Sequence, residues 1–176
     1  MINFFKNRRI LKDRARNLYD RAEAQARLPI FYEDMGVPDT VDGRFEMICL
    51  HAYILMHRLM KVGDKKLAQK LFDALFVQME LSLREMGIGD LGVPKHMKRM
   101  MQGFNGRANH YEAAILTNDR EELKQALIQN VYGTVNRVEN KNIESLLDYI
   151  FANIALETVE EGFISPDMKG AGKKHA

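Results

Sequence analysis

The sequence predicts an all-α protein, a single-domain bundle of about six helices built round a central antiparallel helical hairpin. Two observations predict this fold class. Apolar residues recur at three- and four-residue steps through most of the 176 residues, which is the spacing of one helix face. No stretch alternates apolar and polar residues as a β-strand does. The chain is long enough to bury a substantial core within one domain.

The first predicted helix covers residues 3–27, with an apolar stripe on one side and basic residues on the other. Pro29 and the stretch MGVPDTVDG at 35–43 then break the helix and form a connector. The N-terminal helix is either a packing helix or an anchor for a membrane or a partner. We divide the chain into a basic amphipathic N-terminal helix (1–27), an all-α domain (28–162) and a polar, disordered tail (163–176).

The central hairpin consists of helices at about 42–62 and 65–86. Asp42 and Asp64 are predicted as their N-caps. Because only VGDK joins them, the two helices must pack antiparallel. The run FEMICLHAYILMHRLM at 45–60 is too short and too polar to span a membrane, so it is predicted as a buried core helix.

Three more helices are predicted after a glycine-rich loop, at about 94–116, 119–132 and 141–161. Pro94 suits the first turn of its helix, and Asn118 is placed as the cap of the next one. Gly103 and Gly106 lie inside a helix, where each costs about 1 kcal/mol relative to alanine. They predict either a bend or the close approach of a neighbour.

The net charge is only +2, but it is unevenly distributed. Residues 1–27 hold eight Lys and Arg against three acids, whereas 139–161 are acidic. This polarity suggests a face that meets something anionic. Cys49, the single cysteine, has apolar neighbours and is predicted to be an inert core thiol. A chain with no disulfide framework, secretory signal or presequence is expected in the cytoplasm.

The sequence lacks the residue sets that are typical of enzymes. No Glu-x-x-His pair or His-Glu-x-x-His motif is present. His51 and His57 are six residues apart, so they lie on different faces of a helix and are not placed to bind one metal ion together. GIGDLG at 87–92 has the G-x-G-x-x-G spacing of a dinucleotide-binding motif. That motif requires a strand before it, and a helix is predicted there instead. We therefore expect no catalytic residue, no metal and no cofactor.

The segment 84–111 differs from the rest of the chain in its glycines, methionines and cations. An exposed stripe of methionines and an aromatic residue beside cations suits adaptable binding of apolar partners. The alternative is that the methionines are core residues and the cations are solvated.

Three motifs in order resemble the ubiquinol–cytochrome c chaperone family. They are G-V-P-D-T-x-D-G-R-F at 36–45, S-L-R-E-M-G-x-G-D-L at 82–91 and F-x-G-R-A-x-x-Y at 104–111, and the similarity runs from about residue 20 to residue 155. The resemblance implies an all-α, non-enzymatic assembly factor for the cytochrome bc1 complex, respiratory complex III. It implies action on newly made cytochrome b, beside a small partner protein and the ribosome near the peptide exit.

The resemblance further implies a bacterial member. Peripheral contact with the cytoplasmic face of the inner membrane stays open, and no DNA binding is expected. Two other classes stay open at this point: a ribosome- or RNA-binding module that uses 95–107, and a helical enzyme with an apolar pocket. The candidate partner-binding residues are Asp39, Asp42, Arg44, Lys95, Met97, Lys98, Arg99, Met100, Met101, Phe104, Arg107 and Tyr111.

Overall fold

The computed structural model describes residues 2–166, with side chains from Lys6 onward. This range contains seven helices and no strand, which confirms the all-α class. The helices are α1 (Ile2–Ala26), α2 (Pro29–Glu33), α3 (Val41–Lys61), α4 (Lys65–Glu85), α5 (Val93–Leu116), α6 (Arg120–Asn130) and α7 (Asn140–Ala155).

Helices α3 and α4 form the predicted hairpin. Gly63 adopts a φ of 80° in the turn between them, and the Asp64 side chain accepts a hydrogen bond of 3.1 Å from the Leu67 amide. Twelve of the 21 residues of α3 are buried, so the core-helix prediction for 45–60 is confirmed. No helix within residues 2–166 combines the length and the hydropathy needed to cross a bilayer.

The other helices surround this hairpin. α1 packs on α3 and α4, α5 packs on α4 and α3, and α7 packs on α3, with α6 between α5 and α7. The second half of α1 enters the core with Ala15, Leu18, Tyr19, Ala22 and Ala26. This half of the predicted N-terminal helix therefore packs as part of the bundle.

Several predicted helix ends differ from those observed. Thr40, not Asp42, caps α3 by accepting a bond of 3.1 Å from the Gly43 amide. Asp119, not Asn118, caps α6, because Asn118 adopts a φ of 53° and ends α5 instead. In both cases a side chain one or two residues away also suited the role, and the backbone geometry decided between them.

The predicted connector after α1 contains the short helix α2. Pro29 occupies its first turn, and Phe31 is completely buried. The Tyr32 hydroxyl donates a bond of 2.7 Å to the Ala26 carbonyl, which fixes α2 against the end of α1. A five-residue helix shows too few turns for its periodicity to be recognised in sequence.

His51, on α3, is a fully buried polar residue that links three elements. Its Nδ1 donates to the Met47 carbonyl at 2.7 Å, and its Nε2 accepts from the Tyr149 hydroxyl at 2.9 Å. The rings of Phe31 and Phe163 meet its ring edge-on, with centroids 5.2 Å away in each case. Burial lowers the pKa of His51 to about 4, so the imidazole is neutral near pH 7.

The last predicted helix ends at Ala155 rather than 161, because Leu156 is extended and the chain turns back over the core. The buried Arg58 donates a bond of 2.6 Å to the Gly162 carbonyl. The Ile164 amide donates to Asn153 Oδ1 at 2.9 Å. Residues 163–166 thus pack on the bundle, and the rest of the predicted disordered tail, 167–176, lies outside the described residues.

We predict opposite effects of alanine at two helical glycines. A Cβ at Gly43 would lie 1.9 Å from the Pro38 carbonyl oxygen, whereas a Cβ at Gly106 would meet nothing within 4 Å. Gly43→Ala should therefore lower the free energy of unfolding by about 2 kcal/mol or more, because the backbone must shift.

Gly106→Ala is the matched control and should raise the free energy of unfolding by up to about 1 kcal/mol. Urea denaturation followed by far-ultraviolet circular dichroism measures both. Equal effects of the two substitutions would show that the close approach of residues 38 and 43 is not a constraint.

Candidate functional site

The first motif, 36–45, forms the turn that leads into α3. Asp39 and Arg44 form an ion pair with 2.5 Å between Oδ1 and Nε, and the hydrogen bond from Arg44 lowers the pKa of the Asp39 carboxyl. The Arg44 guanidinium also lies 5.7 Å from the centre of the Tyr32 ring. Asp42 is exposed in the first turn of α3. Asp39 and Arg44 thus satisfy each other's charge at the surface.

The third motif, 104–111, joins α5 to α3 through an ion pair. Arg107 Nη2 lies 2.5 Å from Glu46 Oε1, and the side chain of Glu46 is only 9% exposed. Gly103 leaves room for the Arg107 side chain, since a Cβ at residue 103 would lie 2.8 Å from Arg107 Nη1. Cys49 and Tyr111 help to line the crevice around the pair, which is too narrow for a water molecule.

The pair is incompletely hydrogen-bonded. Glu46 Oε2 and Arg107 Nε are buried and have no hydrogen-bond partner among the described residues. Burial therefore outweighs the attraction of Arg107 and raises the pKa of Glu46 to about 7. Burial likewise raises the pKa of the Cys49 thiol well above its ordinary value, which agrees with the predicted inert core thiol.

Phe104 and Tyr111, both candidate binding residues, are only 3% exposed. The Phe104 ring packs against Phe72 and Phe76 of α4, with centroid distances of 5.7 and 5.9 Å. The Tyr111 ring meets Tyr53 of α3 edge-on at 5.5 Å. In this conformation these side chains fix α5 to the hairpin and do not face solvent.

A further hydrogen-bonded group, which the sequence did not indicate, extends this interface. Glu112 Oε2 accepts a bond of 2.7 Å from the Tyr53 hydroxyl, and His57 Nδ1 lies 2.9 Å from the same oxygen. Among the described residues no group of three or more His, Cys, Asp or Glu side chains is arranged to hold a metal ion. The contacts of Tyr53 and His57 with Glu112 hold α3 against α5 and set the position of one helix along the other.

The second motif, 82–91, forms the end of α4 and a fixed loop. Arg84 pairs with Glu80 at 2.9 Å and with Asp90 across the loop. Gly87 adopts a φ of 83°. The Ile88 amide donates a hydrogen bond of 3.0 Å to the Leu83 carbonyl, and this bond caps the end of α4. The loop thus holds Leu91 with 98% of its surface exposed.

The outer flank of α5 continues from this loop. Lys95, Lys98 and Arg99 are exposed, and none of them forms an ion pair in the part of the chain that the structure describes. Met101, one turn after Lys98, is 38% exposed. Met97 and Met100 are partly buried and pack against the core.

The structure therefore divides the candidate residues into two groups. One group, Lys95, Lys98, Arg99 and Met101, is exposed on α5. We call these four residues, together with the exposed Met86 and Leu91, the loop–α5 surface. The other forms contacts within the bundle or within its own turn: Asp39, Arg44, Met97, Met100, Phe104, Arg107 and Tyr111. Asp42 is exposed and belongs to neither group.

Sequence reasoning missed Met86 and Leu91, which are 59% and 98% exposed. A signal was present, since Leu91 lies between Asp90 and Gly92 in a loop with three glycines. An apolar residue in such a turn has few neighbours to cover it.

We predict a specific pH dependence for the Glu46–Arg107 pair. The pKa of Glu46 is about 7 in the folded chain, against an ordinary value of 4.5. Between these values the folded state keeps a proton that the unfolded state has released, so rising pH destabilises the wild-type chain relative to Glu46→Gln. The difference in unfolding free energy should change by about 3 kcal/mol at most.

Urea unfolding of both proteins at several pH values between about 5 and 8 measures this difference. His51 is present in both proteins, so its opposite dependence between pH 4 and 6.5 cancels. A difference that does not vary with pH would mean that Glu46 stays ionised beside Arg107.

Comparisons with known proteins agree with the three motifs. The family model described as ubiquinol-cytochrome C chaperone matches residues 33–158. The chain is 28% identical over 129 residues to the Saccharomyces cerevisiae protein CBP3, mitochondrial, and this match covers 70% of the chain but only 38% of that relative.

A solved structure shows the same architecture. The crystal structure of the Cbp3 homolog from Brucella abortus superposes with a TM-score of 0.74 and 32% identity, covering 97% of this chain and 99% of that chain. Neither match adds support to an RNA-binding module at 95–107. Arg107 in that segment is moreover paired with Glu46. The chain belongs to the ubiquinol–cytochrome c chaperone family.

Proposed function

We propose that this chain is a non-catalytic assembly chaperone that binds newly made cytochrome b and promotes assembly of the cytochrome bc1 complex, respiratory complex III. The match of residues 33–158 to the chaperone family supports the general role. Because the chain spans 38% of the length of its yeast relative, client and partners are part of the proposal.

The exposure of Leu91 is the observation that carries the choice of binding surface. The structure gives internal contacts to most charged and aromatic side chains of the three motifs, yet it leaves this leucine 98% exposed on a fixed loop. A fully exposed leucine has no stabilising role within the fold, because it buries no apolar surface. We assign it to contact with an apolar segment of the client.

The surroundings of Leu91 suit a membrane-protein client. Met86 and Met101 add flexible apolar side chains that adapt to segments of varied shape. Lys95, Lys98 and Arg99, which form no ion pair within residues 6–166, add a positive flank that favours the acidic ends of such segments or anionic lipid head groups. We therefore propose that the chain works at the inner membrane as a peripheral protein. Contact with the ribosome and with a small partner protein remain predictions.

The direct test is a gentle affinity purification of the tagged chain from its own cells, with mass spectrometry of the proteins that accompany it. We expect cytochrome b to be enriched over other inner-membrane proteins of similar abundance. Enrichment of ribosomal proteins without cytochrome b would contradict the proposed client.

We predict that Leu91→Gln reduces recovery of cytochrome b in this purification. The expected loss is about tenfold, since one buried leucine contributes about 1.5 to 3 kcal/mol. Leu116→Gln is the matched control, because Leu116 is also exposed, at 74%, but lies at the far end of α5. An equal loss with both variants would mean that recovery depends on the total exposed apolar surface and not on residue 91.

Charge reversal should separate the surface cations from the structural one. Lys98→Glu with Arg99→Glu should reduce client recovery and change the free energy of unfolding by less than about 0.5 kcal/mol. Arg107→Glu should instead lower the free energy of unfolding by about 3 kcal/mol or more, because it places two acids together in a buried crevice. Thermal and urea unfolding distinguish the cases. A large loss of stability in the double variant would show that Lys98 and Arg99 are structural.

A further inference from the structure

A groove of about 590 Å³ lies between residues 8–16 of α1 and residues 70–81 of α4. It is separate from the loop–α5 surface and has two unlike walls. Arg8, Lys12 and Arg16 line it from α1, and Ala74, Val77 and Leu81 line it from α4.

The α4 wall is an uncovered apolar stripe. Val77 and Leu81 follow Ala74 by three and seven residues, so all three lie on one helix face over a length of about 10 Å. Val77 is 56% exposed and Leu81 is 47% exposed. Residues 6–14 of α1 leave this stripe uncovered, because all of them except Leu11 are exposed.

The α1 wall is positively charged after its internal pairs are counted. Arg16 pairs with Asp20 at 2.8 Å, and Asp13 lies 3.9 Å from Arg9. Arg8 and Lys12, one turn apart, form no ion pair within the described residues.

The remaining charges in the groove balance one another. On the α4 side Lys70 and Asp73 pair with each other at 2.6 Å, and Gln69 also donates to Asp73. The free charge of the groove is therefore the positive charge of Arg8 and Lys12.

We infer that this groove is a second docking site, which takes an amphipathic helix of a partner protein with acidic residues along one flank. A helix of about two turns matches the length of the stripe. Its apolar residues at i, i+3 and i+7 would cover Ala74, Val77 and Leu81. Acidic residues one turn apart would pair with Arg8 and Lys12.

Charge and shape favour this occupant over the others. A flat bilayer surface would meet the cations but would not reach an apolar stripe within a concave groove. The segment 167–176 of the same chain carries three lysines and one aspartate, so its charge has the wrong sign. An acidic helix satisfies both walls at once.

The test uses two fluorescent, covalently stapled helical peptides of about four turns and the full-length chain. One peptide carries leucines at i, i+3 and i+7 with glutamates one turn apart on one flank. The other carries lysines in place of those glutamates. Fluorescence anisotropy should show binding of the acidic peptide at least about tenfold tighter than of the basic one, and this preference should weaken as salt is raised.

Groove variants locate the site. Leu81→Gln should weaken acidic-peptide binding about tenfold, whereas the control Met60→Gln, at a residue that is 50% exposed on α3, should not. Arg8→Glu with Lys12→Glu should abolish the preference for the acidic peptide. The control Arg137→Glu with Lys141→Glu, at two exposed residues outside the groove, should retain it.

Three results would overturn the inference. Peptide binding that is absent, or is equally weakened by the control variants, would remove the site. Binding to anionic phosphatidylglycerol vesicles that depends on Arg8 and Lys12 but not on Leu81 would assign the basic wall to a membrane. A dimer in sedimentation that Leu81→Gln dissociates would assign the groove to a second copy of the chain.

Discussion

The polar side chains buried along α3 are the constraint on the positions of α5, α7 and the segment after α7. Glu46 requires Arg107 from α5, His51 requires the hydroxyl of Tyr149 from α7, and Arg58 requires a carbonyl from the segment after α7. A buried polar group without a partner costs free energy, so each of these residues favours one position of a neighbouring element. Apolar packing alone would allow neighbouring registers, whereas these three bonds specify one. The fold is therefore organised from its central helix outward.

The sequence predicted those parts of the fold that depend on local pattern. The α3–α4 hairpin follows from long periodic helices and a three-residue turn, and both are visible in the residues themselves. The candidate site was harder to predict from the sequence. Phe104 shares one helix stripe with Met97 and Met100, and such a stripe has the same periodicity whether it contacts a partner or the core. The partner of Arg107 lies 61 residues away on α3, and no local signal predicts such a pairing. The exposure of Leu91, by contrast, had a local signal in the glycine-rich loop around it.

The three sequence motifs consequently have two kinds of role. The first and third form the turn into α3 and the junction of α3 with α5, and their charged and aromatic residues are largely used within the fold. The second uses its charged residues to fix a loop that presents an apolar side chain to the outside. An exposed apolar side chain near cations that form no ion pair within the described residues suits the proposed binding of an apolar client segment. With the groove between α1 and α4, the two proposals give the chain two separate surfaces, one for a client and one for a partner.

The most direct test of the central claim is the amount of assembled cytochrome bc1 complex in cells that lack the chain. Native electrophoresis and the haem b absorbance of the membranes measure it, with the cytochrome b transcript and the other respiratory complexes as references. We expect a selective fall in the bc1 complex at an unchanged transcript level, reversed when the wild-type chain is restored. A bc1 complex of normal amount and subunit composition in those cells would contradict it.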